Sequence, residues 1–462
     1  MGSAKLLRQA GVWKLPSARY LFPPMIERVL ELARRSRRFE GFDLLLRDES
    51  QVSLKFESGR LKETALRQEA GLNFRGVSRG KVGIAGTTDL SGDAALEDLL
   101  RRAGASAEQG EECALAFPGP SRLPDVSLFD DTAAGMDVEH LAELGRRVVA
   151  QLKRPGWQVT ASVDRYVETT SFGNSAGQTF KSRATAISVG AEVTQVKGDD
   201  VLMAYDDVTG AGVPSEAELD RVAASVIRHI DRGQKIVAPP EGKLPVLFTP
   251  HGCAAVLLPL HQALSGKTVL QGISPLGGKL GEALFDPAFD MTDDPLLSSR
   301  VGSRPADDEG MPSARLPLIE RGTLRAFVYD LETAARAGTA STGHARRSTF
   351  GKPGISFSNV VIKPGTANED ALLKAMGHGL VVDELIGVGQ GNVISGAFSH
   401  PVALAYRVEG GEITGRVKDA AVAGNSYELL KRIRMIGSAA KWLGGSQLVP
   451  PLLLDAVNVA RR

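Results

Sequence analysis

Histidine and cysteine side chains are the first candidates for metal chemistry in this sequence. The seven histidines are His140, His229, His251, His261, His344, His378 and His400, and the two cysteines are Cys113 and Cys253. A catalytic zinc ion needs about three such ligands close together, often with two histidines one turn apart on a helix. No two of these histidines are four positions apart, and H-E-x-x-H does not occur. The sequence therefore contains no ordinary helical zinc motif.

His251 and His261 are the remaining metal candidates, because they flank one predicted helix. Ten positions along a straight helix separate two residues by roughly 15 Å, which is too far for both to bind one ion. A site that used both would need a bent backbone and an acid, for which residues 307–309 are candidates. The alternative is a histidine at a helix end and a second one at a surface or interface.

Three further patterns suggest other chemistry but fit it poorly. Gly266-Lys267-Thr268 ends like a phosphate-binding loop, yet His261 stands where the first glycine of that loop should be. Ser399 precedes His400, but two residues adjacent in sequence need not have the geometry of a nucleophile and its base. The acids of Asp307-Asp308-Glu309-Gly310 could act in acid–base chemistry or bind a basic ligand, although acids are common in such turns.

The periodicity of apolar residues predicts the elements that would position these side chains. Helical spacing from Met25 is followed by alternation at Val52, Leu54 and Phe56, and a second helix-then-strand unit begins at Val138. Short strands between glycines follow residue 265. We therefore predict an α+β fold, with helix-plus-antiparallel-sheet units followed by a β-rich, barrel-like C-terminal domain. The predicted divisions are a disordered leader (1–24), an N-terminal α+β domain (25–105), a linker (106–136), a central α+β domain (137–238) and a β-rich C-terminal domain (243–462).

Composition excludes several classes of protein. Lys plus Arg total 55 against 54 Asp plus Glu, so a net charge of +1 gives no general attraction for nucleic acid or anionic membranes. No run approaches the roughly 20 apolar residues that a membrane helix needs. Two cysteines cannot form a disulfide framework, which favours a reducing compartment and predicts a cytoplasmic protein. The 51 glycines, concentrated after residue 265, indicate many tight turns.

A series of short motifs, in one order along the chain, resembles the TldD/PmbA family from residue 39 to the C terminus. The motifs are Ser58-Gly59-Arg60, Asn174-Ser175-Ala176-Gly177, Pro275-Leu276-Gly277-Gly278-Lys279-Leu280-Gly281-Glu282, Asp293-Asp294-Pro295, Asp308-Glu309-Gly310, Ser341-Thr342-Gly343-His344-Ala345-Arg346, Gly396-Ala397-Phe398-Ser399 and Ala423-Gly424-Asn425. Each motif is short, but eight in the right order are hard to obtain by accident. The resemblance implies a family in which two chain types pair as a TldD/TldE peptidase heterodimer, TldE being also called PmbA.

The resemblance also indicates which chain type this is. In the TldD type, a helix carries H-E-x-x-x-H, whose histidines and a late cysteine bind zinc while the glutamate activates water. Setting His261 against the first motif histidine places Gln262 at the glutamate and Gly266 at the second histidine. No cysteine follows Cys253. The resemblance therefore implies a TldE/PmbA-type subunit with no zinc and no catalytic residue of its own, the zinc being expected in a TldD-like partner.

By the same resemblance, the complex would cleave unfolded or flexible peptides, and this chain would help form the peptide cleft. The candidate cleft or interface residues are His261, Gln262, Asp308, Glu309, His344, Arg346, Phe398 and Ser399. Two alternatives remain open: a self-sufficient metallopeptidase with a divergent metal site, and a protein-binding modulator of DNA gyrase, as the family was once described. Expected partners are the TldD-like chain and a peptide, with a homo-oligomer as a further state of the chain alone and no direct contact with nucleic acid or membrane.

Overall fold

The computed structural model describes residues 22–461, so most of the predicted leader (1–24) lies outside the described residues. The first half of the chain forms the following elements: α1 (Phe22–Ser36), β1 (Gly41–Glu57), β2 (Arg60–Ser78), β3 (Lys81–Thr87), α2 (Asp93–Glu108), α3 (Asp131–Gly135), α4 (Val138–Leu152), β4 (Trp157–Asn174), β5 (Thr179–Lys197), β6 (Asp200–Gly210) and α5 (Glu216–Arg232).

The strands of this half form one curved, half-barrel sheet in the order β3-β2-β1-β4-β5-β6. The two predicted helix-and-hairpin units are joined in it by antiparallel pairing of β1 with β4, from Asp43 opposite Asn174 to Glu57 opposite Thr160. Both units thus contribute to a single sheet, whereas the boundaries of the predicted domains stay a prediction.

Helices α4 and α5 cover one face of the half-barrel. Asp137 caps α4 by accepting from the His140 amide, and Ser215 with Glu218 forms a capping box on α5. Helix α4 lies close to the sheet at Gly145, where an added Cβ would be 2.3 Å from the Phe56 ring. Because strand side chains alternate between faces, burying one face of β1 leaves the other open to contact a ligand or the second half of the chain.

The second half of the chain contains shorter elements. They are β7 (Ile236–Val237), β8 (Gly242–Phe248), α6 (Ala254–Ala263), α7 (Gly266–Leu270), β9 (Met291–Asp293), β10 (Leu316–Glu320), β11 (Thr323–Leu324), α8 (Leu331–Ala337), β12 (Ala345–Arg346), β13 (Gly354–Ile355), β14 (Val360–Ile362), α9 (Glu369–Met376), β15 (Gly379–Leu385), β16 (Ala397–Glu409), β17 (Glu412–Val417), β18 (Ala420–Asn425), α10 (Ser426–Leu429), β19 (Ile433–Ile436), β20 (Lys441–Leu443), β21 (Gln447–Val449) and β22 (Leu452–Arg461).

Five of these strands close into a barrel. Strands β15, β8, β22, β18 and β16 pair in that order, and β16 pairs again with β15. A second sheet has the order β11-β10-β9-β14-β21-β20. The predicted α+β fold with a barrel-like C-terminal region is confirmed.

Helix α6 belongs to the core of the second half. Its Val256, Leu257 and Leu260 are buried in one cluster with Phe248 of β8. The helix continues through Pro259 to Ala263. In the part of the chain that the structure describes, no helix is long and apolar enough to cross a membrane.

Candidate functional site

A cleft of about 270 Å³ lies between the open face of the half-barrel and loops of the second half. Gln51 of β1 pairs with Arg67 of β2 and with Tyr166 of β4, so the three side chains lie side by side on its floor. Residues 300–306, together with Asp308 and Arg346, form the opposite wall. The predicted candidates Asp308 and Arg346 therefore meet here.

Fixed charges of both signs line the margin of this cleft. Arg47 donates to Asp308 Oδ2 at 2.9 Å, and its Nε lies 3.2 Å from Glu168. Arg346 Nη2 lies 3.4 Å from Glu168 Oε2. Burial alone would raise the pKa of Asp308, but the charges of Arg346 and Arg47 lower it below its ordinary value. Asp308 is therefore an anion at neutral pH, held between two arginines.

Glu309 lies in a buried ionic network and not in the cleft. Arg75 donates to Glu309 Oε1 at 2.5 Å and also pairs with Asp43, while Arg347 lies 2.7 Å from Asp43. Burial raises the pKa of Glu309 to about 7, against the opposing charge of Arg75. This network joins strands β1 and β2 to the loops of the second half.

His344 is also sealed inside the second half. Its Nε2 lies 3.0 Å from Asp293 Oδ2, its Nδ1 lies 2.9 Å from the Thr342 hydroxyl, and the residue is 1% exposed. Its ring meets Phe357 edge-on. Histidine here fixes the position of two loops and has no route to a ligand in the cleft.

The α6 residues that correspond to the family's zinc motif have few polar neighbours. His261 packs on Phe357 with ring centroids 5.3 Å apart, and its Nε2 is buried with no hydrogen-bond partner among the described residues. Burial lowers the pKa of His261 to about 4, which the charge of Asp293 opposes. Gln262 is exposed. At Gly266 an added Cβ would lie 2.2 Å from Tyr329, so no side chain fits without movement of that ring.

Phe398 and Ser399 lie on β16, away from the lining of the cleft. Phe398 is buried opposite Gly424 of β18 and lines a separate cavity with it, whereas Ser399 is exposed. The preceding turn is tied to α6, because Tyr427 donates to the carbonyls of Pro259 and Ile394. The turn before β16 and Tyr427 are therefore connected to the helix that carries His261.

His251 lies in a cluster of acids at the junction of β6 and β15. Within residues 22–461, two groups of three or more His, Cys, Asp or Glu side chains have ligand atoms within 4.8 Å of one another, and both contain His251. The groups are Asp206, Asp207 and His251, and His251, Asp383 and Glu384. Neither contains His261 or residues 307–309, so the structure does not bring the predicted divergent metal set together. Lys441 pairs with Asp206, and burial lowers its pKa to about 8.

The sequence did not identify Arg47 and Glu168 at the cleft margin, or the acids and Lys441 around His251. Arg47 and Glu168 lie on alternating strands where charged residues usually face solvent, and only the register of β1 with β4 brings them together. The consecutive acids Asp206-Asp207 and Asp383-Glu384 carried a readable signal, because each pair adjoins apolar or aromatic residues. Nothing local pointed to Lys441 as their counter-ion.

Two domain models of one family match this chain. The PmbA/TldA metallopeptidase domain 1 matches residues 42–107, and the PmbA/TldA metallopeptidase C-terminal domain matches residues 241–461. Together they cover more than half of the sequence.

Individual relatives extend the similarity to most of the chain. A metalloprotease of Methanothermobacter thermautotrophicus is 26% identical over 403 residues, covering 84% of this chain and 85% of the relative. Metalloprotease PmbA of Escherichia coli O157:H7 is 24% identical over 92% of this chain and 93% of its own length. The crystal structure of TldE from Thermococcus kodakarensis has the same fold, with a TM-score of 0.85, 22% identity and coverage of 94% of this chain and 100% of that chain. This chain belongs to the TldD/PmbA family of metallopeptidase-like proteins.

Proposed function

We propose that the chain is a TldE/PmbA-type subunit that works with a TldD-like metallopeptidase chain on unfolded or flexible peptides. Helix α6 carries this proposal. Where the resemblance places a general base and a second zinc ligand, the chain has Gln262 and Gly266. A neutral amide cannot accept the proton of a water molecule as a carboxylate does, and glycine has no ligand atom.

The surroundings of α6 do not fit the zinc ion that the family name implies. His261 supplies one nitrogen, which points into an apolar environment beside Phe357. The Tyr329 ring fills the space that a side chain at position 266 would need. We therefore assign no catalytic step to α6, and the catalytic zinc of the proposed complex belongs to the partner.

The half-barrel offers a surface for peptide and partner. Residues 60–71 of β2 pair with β1 but, within the described chain, have no strand on their other side, because β3 pairs only with residues 72–78. Exposed Tyr166 of β4 and Met203 and Tyr205 of β6 lie farther across the same sheet, on its open face. An unpaired strand edge can bind an extended peptide through main-chain hydrogen bonds. In our proposal this face and the charged cleft hold the substrate against the partner's active site.

Reconstitution with a TldD-like chain from the same organism tests the proposal. We expect a stable complex that degrades an unstructured peptide, with no peptidase activity from this chain alone. Metal-dependent hydrolysis by the chain alone would contradict the proposal and support a self-sufficient enzyme. Recovery of DNA gyrase without a TldD-like chain, in a pull-down from the native host, would support the modulator instead.

We also place this subunit in the cytoplasm. Cys113 and Cys253 are buried and unpaired in the part of the chain that the structure describes, as in proteins of reducing compartments. Size measurement of the chain without its partner will show whether it also forms a homo-oligomer.

A further inference from the structure

The acidic cluster around His251 joins the two halves of the molecule. Asp206 and Asp207 are on β6 of the half-barrel, whereas Asp383 and Glu384 are on β15 of the barrel. His251, just before α6, contributes to both groups of ligand atoms. The cluster is distinct from the zinc-motif position of the family, which corresponds to His261 near the end of α6 and to Gly266 at the start of α7.

Two acids of this cluster are held by neighbouring side chains. Thr249 donates its hydroxyl to Asp383 Oδ1 at 2.7 Å, and His229 Nε2 lies 3.8 Å from the same oxygen. Thr209 donates to Asp207 Oδ2 at 3.3 Å. Metal-binding carboxylates are typically oriented by outer hydrogen bonds of this kind, which fix the direction of their free oxygens.

A cation already lies within the cluster. The ammonium group of Lys441 pairs with Asp206 and lies 3.0 Å from His251 Nε2. The imidazole nitrogen therefore directs its lone pair at a positive charge. Four carboxylates each have an oxygen within 4.8 Å of a His251 ring nitrogen, against this one ammonium group, so the cluster keeps an excess of negative charge that a doubly charged ion would neutralise better. The lysine thus marks where a cation binds.

We propose that His251 and the Asp206-Asp207 pair, where the Lys441 ammonium group now lies, bind a divalent first-row transition-metal ion, with Asp383 and Glu384 adding negative charge beside His251. Lys441 moves out of the cluster as the ion enters. One imidazole and several carboxylates suit Mn²⁺ or Zn²⁺, whereas the absence of cysteine from the two groups disfavours soft ions such as Cu⁺. The bound ion connects β6 with the segment before α6 and so fixes the half-barrel against the second half of the chain. This inference does not depend on the proposed subunit role.

Metal binding by the full chain tests the inference. The protein is stripped with chelator and titrated separately with Mn²⁺ and Zn²⁺ by calorimetry, and bound metal is counted after dialysis. We expect one saturable ion and a raised melting temperature. His251→Ala should weaken binding at least about tenfold, because it removes the ligand shared by both groups. Lys441→Met should strengthen binding about tenfold or more, because it removes a competing charge.

Three comparisons keep the test decisive. His378→Ala removes an exposed histidine elsewhere and should leave the affinity unchanged. Circular dichroism of each variant shows that the fold is retained. No saturable binding by the native chain and by Lys441→Met, or equal affinity of the native chain and His251→Ala, would overturn the inference. Peptidase activity is not the readout, so a failed reconstitution with a TldD-like chain leaves this result independent.

Discussion

Asp308 and Glu309 are adjacent in the chain, but their side chains enter regions of opposite character. Asp308 faces the cleft margin, where its neighbour Arg346 has a side chain 47% exposed. Glu309 faces inward, where Arg75 is 1% exposed. Water and ligands reach Arg346 in the first region, although Asp308 itself is only 3% exposed, and they are excluded from both partners in the second. An acid–arginine pair therefore stabilises the fold when both partners are buried, and it can exchange partners when its arginine is exposed to solvent.

Breaking the sealed network gives the largest expected effect. Arg75→Met leaves the buried carboxylates of Asp43 and Glu309 short of a counter-charge, which should lower the free energy of unfolding by about 3–5 kcal/mol. Chemical denaturation measures the loss. Arg67→Met on the same strand is the matched control, since this side chain is 73% exposed and should cost less than about 0.5 kcal/mol. Equal losses for the two variants would erase the distinction between the regions.

A smaller loss of stability is expected at Gly266, where the buried interior has no room for an added methyl group. Gly266→Ala places a methyl group 2.2 Å from Tyr329, and we expect a loss of about 1–3 kcal/mol from overpacking. Gly104→Ala in α2 is the control, because nothing lies within 4 Å of its added Cβ. Thermal denaturation should show the control unchanged or slightly more stable. A neutral result for Gly266→Ala would mean that this position has room for a ligand side chain.

Acidification should lower the stability of the fold, because a ring nitrogen of His261 is buried. Burial lowers its pKa from 6.5 in the unfolded chain to about 4 in the folded one, so the unfolded state takes up the proton first. Stability from this residue is therefore lost as pH falls from 6.5 towards 4, by about 1 kcal/mol between pH 7 and 5.5. Denaturation of the native chain and His261→Leu at both pH values measures the difference. A parallel pH dependence in both would show that His261 is solvated.

Substitution of Arg346 at the cleft should change peptide hydrolysis more than it changes the stability of the fold. Arg346→Ala should lower the free energy of unfolding by less than Arg75→Met does, because its ion pair with Glu168 is partly exposed to solvent and Arg47 still pairs with Asp308. The same change should reduce peptide hydrolysis by the reconstituted complex several-fold, because Arg346 lines the cleft. Arg325→Ala is matched in exposure, at 47%, but lies outside the cleft lining. Equal activities of the two variants would remove Arg346 from the peptide site.

Local elements were predictable from the sequence. The helical unit predicted to begin at Val138 is α4, which starts at that residue, and the alternation at Val52, Leu54 and Phe56 lies within strand β1. Such elements depend on contacts between neighbours in the chain. The pairing of β1 with β4 was not predicted, because alternation shows which face a side chain takes but not which strand lies beside it.

The same limit applies to the candidate residues. Asp308 and Arg346 were proposed for a cleft and line one, whereas Glu309 and His344 have similar residue types but are sealed. Burial of an acid depends on arginines from distant segments, such as Arg75, and the sequence does not indicate that approach. Position 266 needs no such tertiary information, because a glycine has no ligand atom whatever surrounds it, but the metal-free role of the chain stays a prediction.

The pairing of β1 with β4 has a consequence for synthesis of the protein. Glu57 pairs with Thr160, so one edge of the first hairpin lacks its neighbour until the ribosome has added the intervening residues. At a synthesis rate of roughly 5–20 residues per second, that edge stays unpaired for roughly 5–20 seconds. During this interval the nascent hairpin can pair with another chain, because an unpaired strand is a template for association. Chaperone binding to nascent β1 would shorten that exposure.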